Sequence, residues 1–499
     1  MSLPKYQHVF DTAHLHSDLK KRSLRSGAIT LSSQGIMFLI QLSSTMFLAR
    51  ILTPRDYGIN AMAVAVIGLA GVVFSLGLST ATIQRAEINH EQVSTLFWIN
   101  AGIGFLFTII IASLSPVVAW FFKTPELLWV MITLSGTFFI SGLSVQHSAL
   151  LSRQMRFYSI AKIQIIAMVA GISVAIITGR QGFGYWALIF NFIINSVVNL
   201  IGTWIATGWL PGRIYRDVGV ASMIKFGNNI MKFSLINYFS RNLDNILIGR
   251  YHGDAALGLY SKAYQLLMMP ITNMRDPLTK VAMPVLSRIQ NEPLQYRNYY
   301  CKCISILAFV SMPLVVFMFV CSDQLINLLL GSQWMGASEL FKILAIAALI
   351  QPVVGTGGMV LLSLGRGRRY FVLGLINAII TSFSFVCGLP WGAKGVAISY
   401  VISNYVLFLP TLFYSFEDTS IRLFDFVVAT YKPLLASLVM GIGCFFLIPF
   451  LGHISPFISM PICFLVCAGL YLTAFGFFPN GMTSLLNYYS YGRLIFERR

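Results

Sequence analysis

Long unbroken apolar runs, rather than alternating apolar and polar positions, dominate this chain of 499 residues. A helix needs about 20 apolar residues to cross a bilayer, and the pattern contains fourteen runs long enough to do so. They lie near 26–49, 58–84, 94–115, 126–149, 157–179, 183–206, 225–249, 255–277, 299–321, 337–363, 370–389, 393–415, 428–451 and 455–478. Continuous runs favour helices, which satisfy their backbone hydrogen bonds internally. The pattern predicts an all-α integral membrane protein with about 14 transmembrane helices.

Composition agrees with this interpretation, because 57% of the residues are hydrophobic and only 10% are charged. Soluble domains carry about 25% charged residues. A cytosolic enzyme, a disordered scaffold and a disulfide-rich secreted domain are therefore excluded. The longest outer loop, near 322–336, is too short to hold a catalytic domain.

The net charge of +18 comes from 35 Lys and Arg against 17 Asp and Glu. Cytoplasmic loops of membrane proteins are rich in Lys and Arg, so this excess needs no nucleic acid partner. With the N-terminus inside, the outer loops hold few basic residues, namely Arg50, Arg55, Lys123, Arg180, Arg250 and Lys394. The bias predicts an inner (cytoplasmic) membrane location with both termini cytoplasmic. The basic segment 1–25 shows no cleavable signal, and 479–499 is predicted as a cytoplasmic tail.

An internal repeat appears at an offset of 200 residues. Its matches are Gly27, Arg50 and Gly58 with Gly227, Arg250 and Gly258. Chance recurrence of Gly and Arg at helix ends is the alternative. The repeat predicts two parallel six-helix lobes, 26–210 and 222–416, around a central cavity, with helices 13 and 14 at 428–478 appended.

Ionisable residues inside apolar runs are candidates for function, because lipid does not solvate charge. The seventh run carries Lys232, Arg241 and Asp244 on faces that lipid cannot cover. Snorkelling at an interface is the alternative for residues near run ends. The predicted binding residues for an anionic group are Lys232, Arg241, Lys262, Arg275 and Lys342. The candidates for ion coupling are Asp244, Asp276 and Glu339.

The first six runs carry amides and hydroxyls in place of deep charges. Their polar side consists of Gln34, Gln41, Ser44, Asn60, Asn100, Asn191, Asn195 and Asn199. Such groups suit sugar hydroxyls, and they also hold helices together. The candidates for sugar contacts are Gln34, Gln41, Asn60, Asn228, Asn229 and Asn237. A cavity with one neutral side and one cationic side fits a ligand with sugar and phosphate parts.

Prolines and glycines mark candidate hinges. Pro270, Pro277 and Pro284 recur every seven residues, and each removes a backbone hydrogen bond. The stretch QPVVGTGG, with Pro352 and Gly355, predicts either a helix break or a close-packed glycine seam.

Motifs for other chemistry are missing from the sequence. There is no Walker A loop, HExxH or GxSxG. Energy would then come from an ion gradient, the membrane potential, the substrate gradient or a partner. All seven cysteines lie in apolar runs without a CxxC pair, and we interpret them as reduced packing residues. Neither a metal nor a cofactor is expected.

Several segments together resemble one protein family. They are ARILTPRDYGINAMAVAV with GLSTATIQR, STLFWINAGIG, LLSRQMRF, GRYHGDAALGLYSKAYQLLMMP and PVLSRIQ. In order and spacing they are similar to polysaccharide flippases of Wzx type, in the colanic-acid and lipopolysaccharide exporter branch of the multidrug/oligosaccharidyl-lipid/polysaccharide exporter superfamily. The resemblance covers about 22–480.

The resemblance implies a flippase that moves undecaprenyl-diphosphate-linked oligosaccharide repeat units from the cytoplasmic to the periplasmic leaflet. The product would be capsule, exopolysaccharide or O-antigen, and the polysaccharide polymerase and chain-length regulator are candidate partners. Superfamily members that flip the peptidoglycan precursor carry basic residues in helix 1, whereas this chain has none between Arg25 and Arg50. The alternatives are a multidrug or cation exporter of the same superfamily and a membrane-embedded polymerase or ligase.

Overall fold

A computed structural model describes residues 10, 19–74, 82–83, 88–215, 221–451 and 455–497. Within these ranges, the side chains of 19–28, 31, 221–234, 236–237, 451, 489 and 491–497 lie outside the description. Secondary structure in the described ranges is helical and contains no strand.

Sixteen α-helices follow one another along the described part of the chain. They are α1 Leu19–Ile51, α2 Pro54–Phe74, α3 His90–Phe122, α4 Leu127–Arg153, α5 Phe157–Arg180, α6 Trp186–Thr207, α7 Ala221–Arg288, α8 Pro293–Val320, α9 Ser322–Leu329, α10 Gly336–Val354, α11 Gly357–Ser363, α12 Gly367–Gly388, α13 Gly392–Phe416, α14 Leu423–Leu451, α15 Pro456–Phe477 and α16 Gly481–Glu497.

Each of the fourteen predicted runs overlaps one of these helices, which confirms the all-α membrane fold. Positions 75–81 and 84 of the second run lie outside the described residues. The seventh and eighth runs share α7, and Gly253, with φ 84°, interrupts its helical backbone between them. The tenth run is divided into α10 and α11. Among the described residues, eleven helical stretches are long and apolar enough to cross a membrane, and one of them, Gly367–Phe416, contains two runs.

Two segments predicted as a loop and a tail also contain helices. The outer loop near 322–336 holds α9, where Ile326 is buried and apolar residues recur at helical spacing. The predicted tail 479–499 holds α16. Tyr488 of α16 packs its ring against Phe309 of α8 and hydrogen-bonds to Ser305 at 2.5 Å.

Local sequence explains where α2 begins. Thr53 and Asp56 form a reciprocal capping pair, in which the Asp56 N–H donates to Thr53 Oγ1 and the Thr53 N–H donates to Asp56 Oδ2. Pro54 occupies the first helical position, where its missing N–H is not needed. The tight turn between α1 and α2 therefore follows directly from the letters TPRD.

The chain forms two compact units, 1–258 and 259–499. In the first unit, loops assigned to one face of the membrane contact each other, because Arg55 pairs with Glu126 at 2.6 Å and with Asp254 at 3.1 Å. At the opposite ends of the helices, Arg156 Nη1 donates to the carbonyl of Ala206. The contacts agree with the predicted alternation of loops, while the lobe boundaries 26–210 and 222–416 stay a prediction.

The second unit has a core of tyrosines and aliphatic residues. Tyr296 and Tyr300 of α8 are buried. Tyr300 hydrogen-bonds to Thr356 in the α10–α11 break, and Tyr296 hydrogen-bonds to Ser363 at the end of α11. Arg366 donates to the carbonyls of 417 and 418, which joins two loops assigned to the same face.

Candidate functional site

A cavity of about 450 Å³ lies in the first unit between α4 and α6. Hydroxyls and amides dominate its wall. The lining residues are Ile83, Ser141, Ser144, Val145, Ser148, Ala149, Ser152, Asn195, Ser196 and Asn199. Ligand pockets have volumes of roughly 300–1,000 Å³, so the cavity has room for part of a sugar chain.

Helix periodicity places these serines along one side of α4. Residues 141, 144, 148 and 152 are separated by three or four positions, and such positions share one face of a helix. Ser144 Oγ donates to the carbonyl of Ser141 at 3.0 Å. A hydroxyl that donates to its own helix keeps lone pairs for a ligand donor. The stripe can therefore accept hydrogen bonds without unwinding α4.

Opposite the serines, α6 contributes Asn195 and Asn199, four residues apart on the same face. Both side chains are half-buried. A carboxamide donates and accepts at once, which matches the dual character of a sugar hydroxyl. The sequence placed these two asparagines on the polar side of the first six runs.

A second polar cluster lies in the unit 259–499 and joins α7, α10 and α13. Gln351 Nε2 donates to Tyr400 Oη at 2.6 Å and to Asn404 Oδ1 at 3.1 Å. The Tyr264 and Tyr400 hydroxyls are 3.4 Å apart, and Phe385 stacks on the Tyr400 ring. Tyrosine faces and amides together form a surface of the kind that binds sugars. We call these residues the tyrosine–amide cluster.

Lys262 lies two residues before Tyr264 and is buried, with 5% of its surface exposed. Its Nζ donates to Gln265 Oε1 at 3.1 Å. A buried ammonium is costly unless it is hydrogen-bonded or paired with an anion. Lys262 is thus the most enclosed of the predicted cations that the structure describes.

The other predicted cations differ in their surroundings. Arg241 on α7 is exposed. Arg275 pairs with its neighbour Asp276 at 3.0 Å. Lys342 pairs with Asp323 of α9 at 2.7 Å. The side chains of Lys232, Asn228, Asn229 and Asn237 lie outside the described residues.

The Lys342–Asp323 pair lies at the helix ends assigned to the outer face. Partial burial of Asp323 would raise the pKa of its carboxyl, but hydrogen bonds from Lys342 and Ser338 outweigh burial and lower the pKa. Nearby, Glu339 pairs with Lys394. Of the three predicted coupling acids, Asp276 and Glu339 therefore already have basic partners. Asp244 is buried, and its Oδ1 accepts the N–H of Asn245.

The predicted sugar-contacting amides of α1 and α2 also differ from one another. Gln41 is exposed and Gln34 is half-buried. Asn60 Oδ1 is buried, and no described residue donates a hydrogen bond to it. Asn100, by contrast, donates to the carbonyl of Leu96 within its own helix. Asn60 is the predicted amide with an open acceptor.

The predicted hinge residues are distributed over α7 and α10. Pro270 and Pro277 lie inside α7, whose helix continues through both. Pro352 is buried in the last turn of α10, and Gly355 and Thr356 separate α10 from α11. Gly357 lies against Ser415, where a Cβ would come within 2.7 Å of the hydroxyl. Both sequence interpretations hold here, since the helix breaks and the glycine packs closely.

Sequence analysis missed the α4 serines and the tyrosine–amide cluster. The serine spacing was readable in ISGLSVQHSALLSR as a repeat of three and four. The cluster had no such signal, because its members come from three separate runs.

The chain is similar to proteins of a known family. A family model described as polysaccharide biosynthesis protein matches residues 47–339. The teichuronic acid biosynthesis protein TuaB of Bacillus subtilis (strain 168) is 28% identical over 414 residues, covering 80% of this chain and 83% of TuaB. The lipopolysaccharide biosynthesis protein WzxC of Escherichia coli (strain K12) is 25% identical, covering 79% and 82%.

Solved structures show the same fold. The lipid II flippase MurJ in an inward closed conformation aligns with a TM-score of 0.73 at 15% identity, covering 90% of this chain and 98% of that one. An inward-facing MATE multidrug transporter aligns with a TM-score of 0.60 at 16% identity, covering 78% and 97%. The family match spans more than half of the chain, and the chain belongs to the polysaccharide biosynthesis protein family.

Proposed function

We propose that this protein is a flippase that moves a lipid-linked oligosaccharide from the cytoplasmic to the outer leaflet of the bacterial inner membrane. The cavity lined by Ser141, Ser144, Ser148, Asn195 and Asn199 carries the proposal. A row of hydroxyls and amides is costly in hydrocarbon unless it finds hydrogen-bonding partners. Sugar hydroxyls supply such partners during transport.

The relatives support transport of a polysaccharide precursor rather than catalysis. TuaB and WzxC are named for polymer biosynthesis, and the relative ExoT of Rhizobium meliloti (strain 1021) is named a succinoglycan biosynthesis transport protein. The lipid II flippase MurJ, whose solved structure has the same fold, adds a flippase to this group. Undecaprenyl diphosphate is the lipid carrier that we propose.

The basic residues of α7 and α10 are the proposed ligands of the diphosphate. Arg241 is exposed and can form two parallel hydrogen bonds to a phosphate. Lys262 adds a buried charge on α7. Arg275 and Lys342 would first have to leave Asp276 and Asp323. We therefore propose Arg241 and the predicted Lys232 as the phosphate contacts of the first unit, and Lys262 as the candidate of the second.

Alternating access is the proposed mechanism, with both termini cytoplasmic. Asp244 is the proposed coupling acid, since it is buried, whereas Asp276 and Glu339 are exposed. The polymerase and the chain-length regulator would receive the product in the outer leaflet.

Leaflet-resolved labelling in a deletion strain tests the proposal. Without the protein, the lipid-linked unit should accumulate in the inner leaflet, and the intact gene should restore polymer. The variant S144A/S148A should lower polymer several-fold. The variant S115A/S135A is the matched control, because both serines are buried in α3 and α4 outside the cavity.

Two results would contradict the proposal. Single units already in the outer leaflet of the deletion strain would indicate a polymerase or ligase. Normal polymer together with sensitivity to cationic drugs would indicate a multidrug exporter of the same fold.

A further inference from the structure

Four cysteines from three helices meet in the unit 259–499. Cys321 follows α8, Cys444 belongs to α14, and Cys463 and Cys467 belong to α15. All four are buried, with at most 1% of their surfaces exposed. No sequence pattern predicted this cluster, because Cys321 is 123 residues from Cys444 and no two of the four cysteines have the CxxC spacing.

The sulfur atoms are spaced as metal ligands are. Cys321 Sγ lies 3.5 Å from Cys444 Sγ and 3.8 Å from Cys463 Sγ, and the latter two atoms are 3.6 Å apart. Thiolates bound to a tetrahedral zinc ion at about 2.3 Å are about 3.8 Å from one another. Cys467 Sγ is 4.0 Å from Cys463 Sγ but lies outside the group of three sulfur atoms that are all within 4.8 Å of one another, and it is the candidate for a fourth ligand.

Among the described residues, Cys321, Cys444 and Cys463 are the only group of three His, Cys, Asp or Glu residues whose ligand atoms lie this close together. A disulfide would join two of them at about 2.05 Å, and all seven cysteines are free. Helix α9 begins directly after Cys321, and a helix N-terminus stabilises a thiolate.

We propose that Cys321, Cys444, Cys463 and Cys467 bind a thiophilic divalent metal ion of the zinc class, which ties α14 and α15 to the end of α8. Binding displaces one proton from each thiol, and the four sulfur–metal bonds replace four S–H bonds. No electron is transferred. The proposal is independent of the flippase assignment, since the cluster shares no residue with the serine cavity or the tyrosine–amide cluster.

Metal analysis of the full chain purified in detergent tests the site. We expect about one zinc ion per chain, and cobalt exchange should give the absorption of tetrahedral thiolate coordination. The variants Cys444→Ser and Cys463→Ser should each bind less metal than the native chain, by a factor of about ten or more. Cys303→Ser and Cys387→Ser are the matched controls, one buried and one exposed, and both should bind as the native chain does.

The outcomes separate the site from its alternatives. A native chain with no more zinc than Cys444→Ser, and without the cobalt spectrum, would show that the thiols only pack together. Intact mass after alkylation in denaturant would reveal a disulfide as two unmodified cysteines, which also overturns the proposal. If the serine variants do not fold, cobalt titration of the chelator-treated native chain still decides the question.

Discussion

Gly58 and Gly258 lie against each other in a reciprocal contact. A Cβ on Gly58 would overlap the carbonyl of Asp254, and a Cβ on Gly258 would overlap the carbonyl of Pro54. Residues 54 and 254, like 58 and 258, differ by the offset of the internal repeat. The two repeats therefore meet through equivalent positions, and each contributes a glycine because any side chain would force the backbones apart.

Replacing either glycine with alanine should disrupt this crossing. Overpacking costs about 1–3 kcal/mol, so G58A and G258A should lower the melting temperature of the detergent-solubilised protein by several degrees. G71A is the matched control on α2, since its Cβ would meet nothing within 4 Å and alanine favours helix. A melting temperature for G58A equal to that of G71A would contradict the packing argument.

Hydropathy predicted the helices because each must cross a bilayer. This requires a continuous apolar segment, which is a local property of the sequence. The offset of 200 predicted which glycines correspond, although not that Gly58 and Gly258 touch. Pairing of Lys342 depends on Asp323, whose helix α9 lies in a segment predicted as a loop. Convergence of Cys321, Cys444 and Cys463 depends on tertiary packing. Helical periodicity alone contains no such information.

The role of Lys262 can be separated from its effect on stability. Lys262→Met keeps the length of the side chain and removes a buried charge, so the melting temperature should stay the same or rise. Polymer production should nevertheless fall at least about tenfold, as for loss of a charged hydrogen bond of about 1.5–3 kcal/mol. The two readouts are thermal unfolding and surface polysaccharide. Normal polymer from this variant would remove Lys262 from the proposed phosphate contacts.

The Lys342–Asp323 pair predicts a dependence of stability on pH. Because hydrogen bonding lowers the pKa of Asp323, its stabilising contribution is present above the ordinary pKa of about 3.9 and is lost as the pH falls through the lower folded-state value. D323N should therefore melt below the native protein at pH 6, and the difference should shrink towards pH 3. D418N is the control. Asp418 also forms an ion pair, with Arg369, but that pair lies far along the chain from Lys342 and Asp323. A difference that does not vary with pH would show that the pair does not act through charge.

The break between α10 and α11 is the proposed hinge, and Pro352 is its testable residue. Proline removes one backbone hydrogen bond from the last turn of α10, while Tyr300 holds the break through Thr356 and Tyr296 holds the end of α11 through Ser363. P352A restores the missing donor, so it should stabilise the helix and slow the motion. We expect unchanged expression, an equal or higher melting temperature and a several-fold slower appearance of lipid-linked sugar in the outer leaflet. P313A in α8 is the control for a proline inside a helix without such a break. Equal transport rates for P352A and the native protein would mean that Gly355 and its neighbours serve only the close packing of Gly357 on Ser415.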